Sequence, residues 1–289
     1  MTKNFTSKFQ IIREFMRHLK WPKRENKVYL RGGILSLLLF FSLPLIASPL
    51  KIAVLDTGFC PDKLSYSKNI TFKESIDLTK SNHFDCKKLK NKNRRLHGNW
   101  VLERFLKELP SGHEIEITPF IIFDKYAKQN EVYWSRAFSK QNDYHLFIIA
   151  AGIKSTPQLE NIKISIPIVV AGATLGRGIQ YKSILWPQSQ FKLPNVFTIG
   201  SYTPKDSDLP ARPDYTLINP TQMKFFFEGG GANDSFKGTS RACAIASAKA
   251  IHHCYQELKK REPLATCLDK VKKKIEIFND NEKVEVLSF

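Results

Sequence analysis

The chain has 289 residues, 42% of them hydrophobic and 12% aromatic, with a formal net charge of +18 at pH 7. That balance excludes intrinsic disorder and fibrous repeats, and a chain of this length buries a substantial core, as one large α/β domain or two small ones. The Lys and Arg residues are scattered apart from the cluster Lys87–Arg95, and no zinc-finger, RRM or basic-zipper pattern accompanies them, so a solvated basic face is expected rather than a nucleic-acid partner.

Residues 1–33 carry nine Lys/Arg and two Asp/Glu, and Ile34–Ala47 follows as a charge-free run of 14 residues. The run is too short to span a bilayer comfortably and fits the apolar region of a signal peptide. Pro44 interrupts it near its end, and the small residues Ala47 and Ser48 offer a cleavage site. Residues 1–48 are therefore expected to be a basic leader with a signal peptide or an uncleaved membrane anchor. This places the protein outside the cell or in a periplasm, with membrane attachment only through residues 34–47. Without residues 1–48 the net charge falls to +11.

Leu50–Leu55 (LKIAVL) opens the remainder, 49–289, as a strand buried on both faces, ended by Asp56-Thr57-Gly58. His97–Leu109 carries apolar residues at helical spacing, and Ile115–Phe123 reads as a strand. Glu131–Gln141 reads as a helix. His145–Ala151, Ile164–Ala171 and Val196–Gly200 are further buried strands. Gly238 leads into a helix over Ser240–Tyr255, rich in Ala and Ser, and a polar stretch and Cys267–Ile275 follow. Alternating strands and helices predict an α/β fold around a mostly parallel sheet. No Pro/Gly/Ser-rich linker divides 49–289, so one domain is expected.

Five cysteines, at 60, 86, 243, 254 and 267, match no zinc-site spacing. Export permits disulfides. The pairs to expect are Cys60–Cys86 and Cys254–Cys267, with Cys243 a buried free thiol in the small-residue helix.

Three short signatures carry chemistry. Val54-Leu55-Asp56-Thr57-Gly58 ends a strand, where functional residues of parallel sheets gather. His97-Gly98-Asn99 opens a helix, and Gly238-Thr239-Ser240-Arg241-Ala242 opens another. Singly these are a turn, a chance pair and a helix cap. Together, in the order Asp…His…Ser, they resemble the subtilisin-like (subtilase) serine peptidase family over about residues 50–275, whose chain order is the same. Cys60-Pro61-Asp62, Phe197–Gly200 and Tyr215–Pro220 also resemble family segments.

The resemblance implies a three-layer subtilisin-like fold over 49–289, with helices on both faces of the central sheet. It implies a serine endopeptidase in which Asp56 orients His97, His97 is the base and Ser240 the nucleophile. The Ser240 backbone N–H would supply one oxyanion donor and Thr174, where the family has Asn, the other. An extended protein or peptide substrate would lie between Ala150-Ala151-Gly152 and Ala171-Gly172-Ala173, with Leu185 or Trp186 lining a pocket. No cofactor or metal is expected; the sequence gives no support for structural calcium, and the oligomeric state is not legible. Other departures are Ala244 at the usual proline and Ala150-Ala151-Gly152 at the usual Ser-Leu-Gly. Two other readings stay open. One is a weak or inactive subtilase fold acting as a peptide-binding module. The other is a nucleotide-binding α/β domain with Asp56-Thr57-Gly58 as its phosphate loop, although the chain has no Walker loop and no Gly-x-Gly-x-x-Gly after a strand, and Gly176-Arg177-Gly178 and Gly229–Gly231 are too fragmentary to supply one.

Overall fold

Every position of Leu50–Leu55 but Lys51 is apolar, and the segment extends as β1 (Leu50–Asp56) through the middle of a sheet. The computed structural model describes residues 48–81, 86–87, 96–173, 185–204, 212–213, 222–231, 233–279 and 282–289. The apolar run Ile34–Ala47 lies outside them.

In chain order the strands after β1 are β2 (Ile70–Phe72), β3 (Ile76–Asp77), β4 (Ile115–Ile121), β5 (Leu146–Ile149), β6 (Ile153–Lys154), β7 (Ile168–Ala171), β8 (Leu185–Trp186), β9 (Val196–Thr203), β10 (Arg212–Pro213), β11 (Phe225–Glu228), β12 (Lys273–Asn279) and β13 (Glu282–Ser288). The helices are α1 (His97–Glu108), α2 (Glu131–Ser139), α3 (Pro157–Glu160), α4 (Thr239–Lys259) and α5 (Leu264–Val271). The main sheet runs β10-β9-β7-β5-β1-β4-β2, with β11 pairing β9 and β3 pairing β4. All of these pairings are parallel except β10 with β9.

Side chains alternate across a strand with period two, and here the alternation separates two cores. Ile52 and Val54 of β1, Leu146 and Ile148 of β5, and Val169 and Ala171 of β7 pack with α1, α4 and α5. Ala53 and Leu55, Phe147 and Ile149, and Ile168 and Val170 pack with α2 and α3. The result is a three-layer α/β architecture with a mostly parallel sheet.

The core layer on the α4 side is close. Cys243 Sγ lies 3.6 Å from Ile149 O and 3.5 Å from Val169 O, so the helix rests almost on the strand backbones. That approach requires the small residues Ala242, Cys243, Ala244, Ala246 and Ala248, all 0% exposed. The helix starts and ends beyond the expected Ser240–Tyr255, with non-helical dihedrals at Cys254. Expected strands shorten where a proline or a turn intervenes: Ile164–Ala171 narrows to β7, after Pro167. Besides the short elements β2, β3, β6, β8, β10 and α3, two longer ones went unread. One is β11, an edge strand of three phenylalanines. The other is the antiparallel hairpin of β12 and β13, with Ile275 opposite Val286. Among the described residues no helix is long and apolar enough to cross a membrane.

Both expected disulfides form: Cys60–Cys86 and Cys254–Cys267. Cys243 is free, and burial pushes its thiol up to about 12. Alkylation with mass detection should therefore find no reactive thiol on the folded protein, one after unfolding, and five after unfolding with reductant. Reducing Cys60–Cys86, which closes 26 residues, should lower stability by about 3.5 kcal/mol, and Cys254–Cys267, closing 13, by about 3 kcal/mol.

Candidate active site

The acid sits where the central strand runs out. Asp56 is the last residue of β1 and 1% exposed. Its Oδ1 accepts a hydrogen bond from Thr57 N–H at 2.6 Å, which turns the chain out of the sheet. His97 begins α1, and its Nδ1 lies 2.8 Å from Asp56 Oδ1 and 3.0 Å from Oδ2. The imidazole side chain is 27% exposed, so its other face is open to a cleft. Burial drives this imidazole towards its neutral form. The charge of Asp56 and the hydrogen bond to it act the other way and prevail, so the pKa of His97 stands above its ordinary value of 6.5.

Gly98 explains why a histidine here is followed by glycine. A Cβ at this position would lie 2.6 Å from Gly58 O and 2.7 Å from the Phe59 ring. Only a residue without a side chain lets the first turn of α1 press onto the loop that follows Asp56. Asn99 then staples that contact. Its Oδ1 accepts from Cys60 N–H at 2.6 Å, its Nδ2 donates to Cys60 O at 3.2 Å, and it is 6% exposed.

Ser240 is the second residue of α4, after Gly238, whose φ of 82° only glycine adopts without strain. Its hydroxyl donates to Ala150 O at 3.3 Å. Among the described residues no hydrogen bond joins Ser240 to His97. The helix start is held from behind by Arg241, 8% exposed, which meets Glu228 at 2.8 Å and Asp234 at 2.9 Å. Asp234 in turn accepts from Gly231 N–H at 2.7 Å, and this bond, with Arg241 beside it, holds its carboxyl below the usual carboxylate range. The first N–H groups of a helix have no intrahelical acceptor and carry its positive pole, so Ser240 stands where backbone donors are free.

Asp56, His97, Trp100, Phe123, Ala127 and Ala150–Gly152 line a cleft of about 390 Å³. Phe236 meets the His97 ring edge-on at 5.7 Å. The residues expected to flank a substrate lie at the ends of the neighbouring strands β5 and β7, but their carbonyls are largely occupied. Gln188 Nε2 donates to Ala151 O at 3.0 Å and to Ala171 O at 2.7 Å. Gln129 Nε2 donates to Gly152 O at 2.6 Å. Gly172 N–H is spent on Ile199 O at 2.8 Å, and Ala173 has a positive φ of 65°. Trp186 is 0% exposed, with its ring against Trp134 and Phe138, so it belongs to the core and not to the cleft wall; Leu185 is half-buried. Thr174, the expected second oxyanion donor, lies outside the described residues, as do Gly176–Gly178 and Tyr215–Pro220.

Sequence reasoning missed Asn99, Arg241 and Gln188. Their partners lie 39, 13, and 37 and 17 residues away. The only local signal was polarity where a buried helix start or turn is otherwise apolar.

No protein-family profile and no curated protein sequence matches the chain. Solved structures do. A chain from a structure of subtilase cytotoxin SubAB assembly matches at a TM-score of 0.55 and 13% identity, covering 76% of this chain and 79% of that one. Sphericase, a subtilase, matches at 0.51 and 15%, covering 78% and 83%. The chain therefore has a subtilisin-like fold.

The Asn99 staple gives a direct test. Asn99→Leu keeps the volume and leaves the N–H and C=O of Cys60 buried without a partner. Urea unfolding should show a loss of about 2–4 kcal/mol, with the midpoint lowered and the slope unchanged.

Proposed function

We propose that this chain is a serine endopeptidase that works on extended peptide segments outside the cytosol. The observation that carries this reading is the buried Asp56 carboxylate on His97 Nδ1 at 2.8 Å. It lies in a cleft at whose edge Ser240 opens a 21-residue helix. A subtilisin-like fold supports it, and two disulfides support a working place outside the reducing cytosol.

In this reading the substrate residue enters with its carbonyl beside Ser240. The hydroxyl leaves Ala150 O and turns to His97 Nε2. The Oγ lone pair attacks the carbonyl carbon, its proton passes to His97, and the carbonyl π pair moves onto oxygen. Asp56 fixes the imidazole tautomer and stabilises the imidazolium. The oxyanion is held by the Ser240 N–H at the positive helix end, and the second donor is assigned to the Thr174 hydroxyl. As the intermediate collapses, the C–N bond breaks and His97 hands its proton to the leaving amine. Water then repeats the sequence on the acyl-enzyme: its proton goes to His97, its oxygen to the acyl carbon, and Ser240 recovers its hydrogen. Trp100 and Phe123 give the cleft beside His97 an apolar wall, which suits an apolar side chain upstream of the bond to be cut. No step calls for a metal or cofactor.

The competing reading, an inactive peptide-binding module, draws on one observation: the Ser240 hydroxyl is bonded to Ala150 O and not to the imidazole. Catalytic hydrogen bonds are often unmade before substrate arrives, so the same geometry fits a resting enzyme.

Hydrolysis of a peptide ester separates the two. Wild type should turn over, and Ser240→Ala and His97→Ala should each lose at least about 10³-fold in kcat. The base must be neutral, and its pKa is raised, so kcat/KM should climb with pH through a limb above 6.5. Asp56→Asn removes the charge and leaves burial acting alone, so the limb should move to lower pH while kcat falls on the order of 10⁴-fold. Equal inertness of wild type and Ser240→Ala would leave the binding module.

A further inference from the structure

We infer that Gln188 sets the size of the substrate residue whose carbonyl is attacked, and limits it to glycine, alanine or serine. The inference rests on the peptidase reading and names the substrate class of the same site.

β5 and β7 are hydrogen-bonded neighbours up to Ile149 and Val170. Beyond them the chain continues as Ala150–Gly152 on one side and Ala171–Ala173 on the other. Ser240 Oγ touches Ala150 O, so a carbonyl brought to Ser240 stands beside the end of β5. A peptide running past Ala150–Gly152 in extended form has side chains that alternate in direction. On this inference the residue with its carbonyl at Ser240 directs its side chain into the gap between the two strand ends.

Gln188 fills that gap. One nitrogen, Nε2, reaches carbonyls on both sides, Ala151 O at 3.0 Å and Ala171 O at 2.7 Å. Both its hydrogens are thereby engaged, and the side chain has no donor left for a ligand. The residue is 4% exposed. It is also packed against the neighbouring wall: a Cβ on Gly152 would lie 2.8 Å from its Nε2 and Oε1. The backbone cannot swing the amide aside easily. Gln188 begins the 3-10 turn Gln188–Gln190, where Phe191 N–H returns to Gln188 O at 3.1 Å. The residue two before it, Trp186, is locked in the core. Oε1 is buried and makes no hydrogen bond, so the amide is placed by its bridge and its shape and not by full pairing. With Gln188 in place the gap admits, on this inference, a hydrogen, a methyl or a hydroxymethyl group and excludes a branched or aromatic side chain.

The test uses the full chain and peptide esters that differ only in the residue at the cleaved bond: glycine, alanine, serine, leucine and phenylalanine. A methylene too many in a closed pocket costs about 10–200-fold. Wild type should therefore favour alanine over phenylalanine by at least about 100-fold in kcat/KM. Gln188→Ala should raise the phenylalanine ester at least about 10-fold while the alanine ester changes far less. Gln188→Asn keeps the amide and removes one methylene, so it should move the cut-off in the same direction by less, and it serves if Gln188→Ala does not fold. Wild type cleaving the phenylalanine ester as fast as the alanine ester would overturn the inference and leave the peptidase reading intact. So would an unchanged ratio in folded variants. A wild type that cleaves none of the esters any better than Ser240→Ala would overturn both.

Discussion

An ionised carboxylate taken out of water costs several kcal/mol unless a partner meets it and its remaining lone pairs are bonded. Asp56, 1% exposed at the end of the central strand, has both: Thr57 N–H and His97 Nδ1. The rest of the site follows from keeping that pair together. α1 has to start within hydrogen-bond reach of a strand end 41 residues earlier, which requires a glycine after the histidine and the Asn99 staple to Cys60. The Cys60–Cys86 bridge ties down the same loop from its far side. Three independent devices thus converge on one short segment, Asp56–Cys60. The carboxylate is held in place by these contacts, and the imidazole beside it faces the cleft.

The serine side is built on a different constraint. α4 lies on the backbones of β5 and β7 because Ala242, Cys243, Ala244, Ala246 and Ala248 are small, and this brings Ser240 to Ala150 O. Arg241 would be an awkward residue to bury at that start. Glu228 and Asp234 receive it, and together they hold the Gly229–Gly238 loop under the helix. Position and charge are therefore settled by the scaffold, while the hydroxyl keeps one rotation to make. Beside the cleft, Gln188 holds Ala151 O and Ala171 O and Gln129 holds Gly152 O, so these carbonyls at the strand ends are already paired.

The sequence made some of this legible and hid the rest for physical reasons. Leu50–Leu55 could only be a strand buried on both faces, and the Asp-Thr-Gly after it could only leave the sheet. The run of small residues after Ser240 announced a helix lying against strands. The two cysteine pairs expected if the protein is exported both form. Asn99, Gln188 and Arg241 were not legible, because each acts on atoms far along the chain and has no local periodicity. Trp186 was misplaced for a related reason: an aromatic residue near a cleft looks like a pocket wall until Trp134 and Phe138 are seen to enclose it. The β12–β13 hairpin was obscured by its charged exposed face, although Ile275 and Ile277 alternate with polar neighbours as a strand should.

In the proposed function Ser240 is the nucleophile that His97 and Asp56 activate. A fluorophosphonate phosphorylates only a serine whose proton can be taken as it attacks. Intact-mass analysis after exposure of the folded protein should show a single adduct, mapped to Ser240, and the labelling should disappear in His97→Ala. A folded protein that takes up no label, or takes it up as readily without His97, would contradict the account.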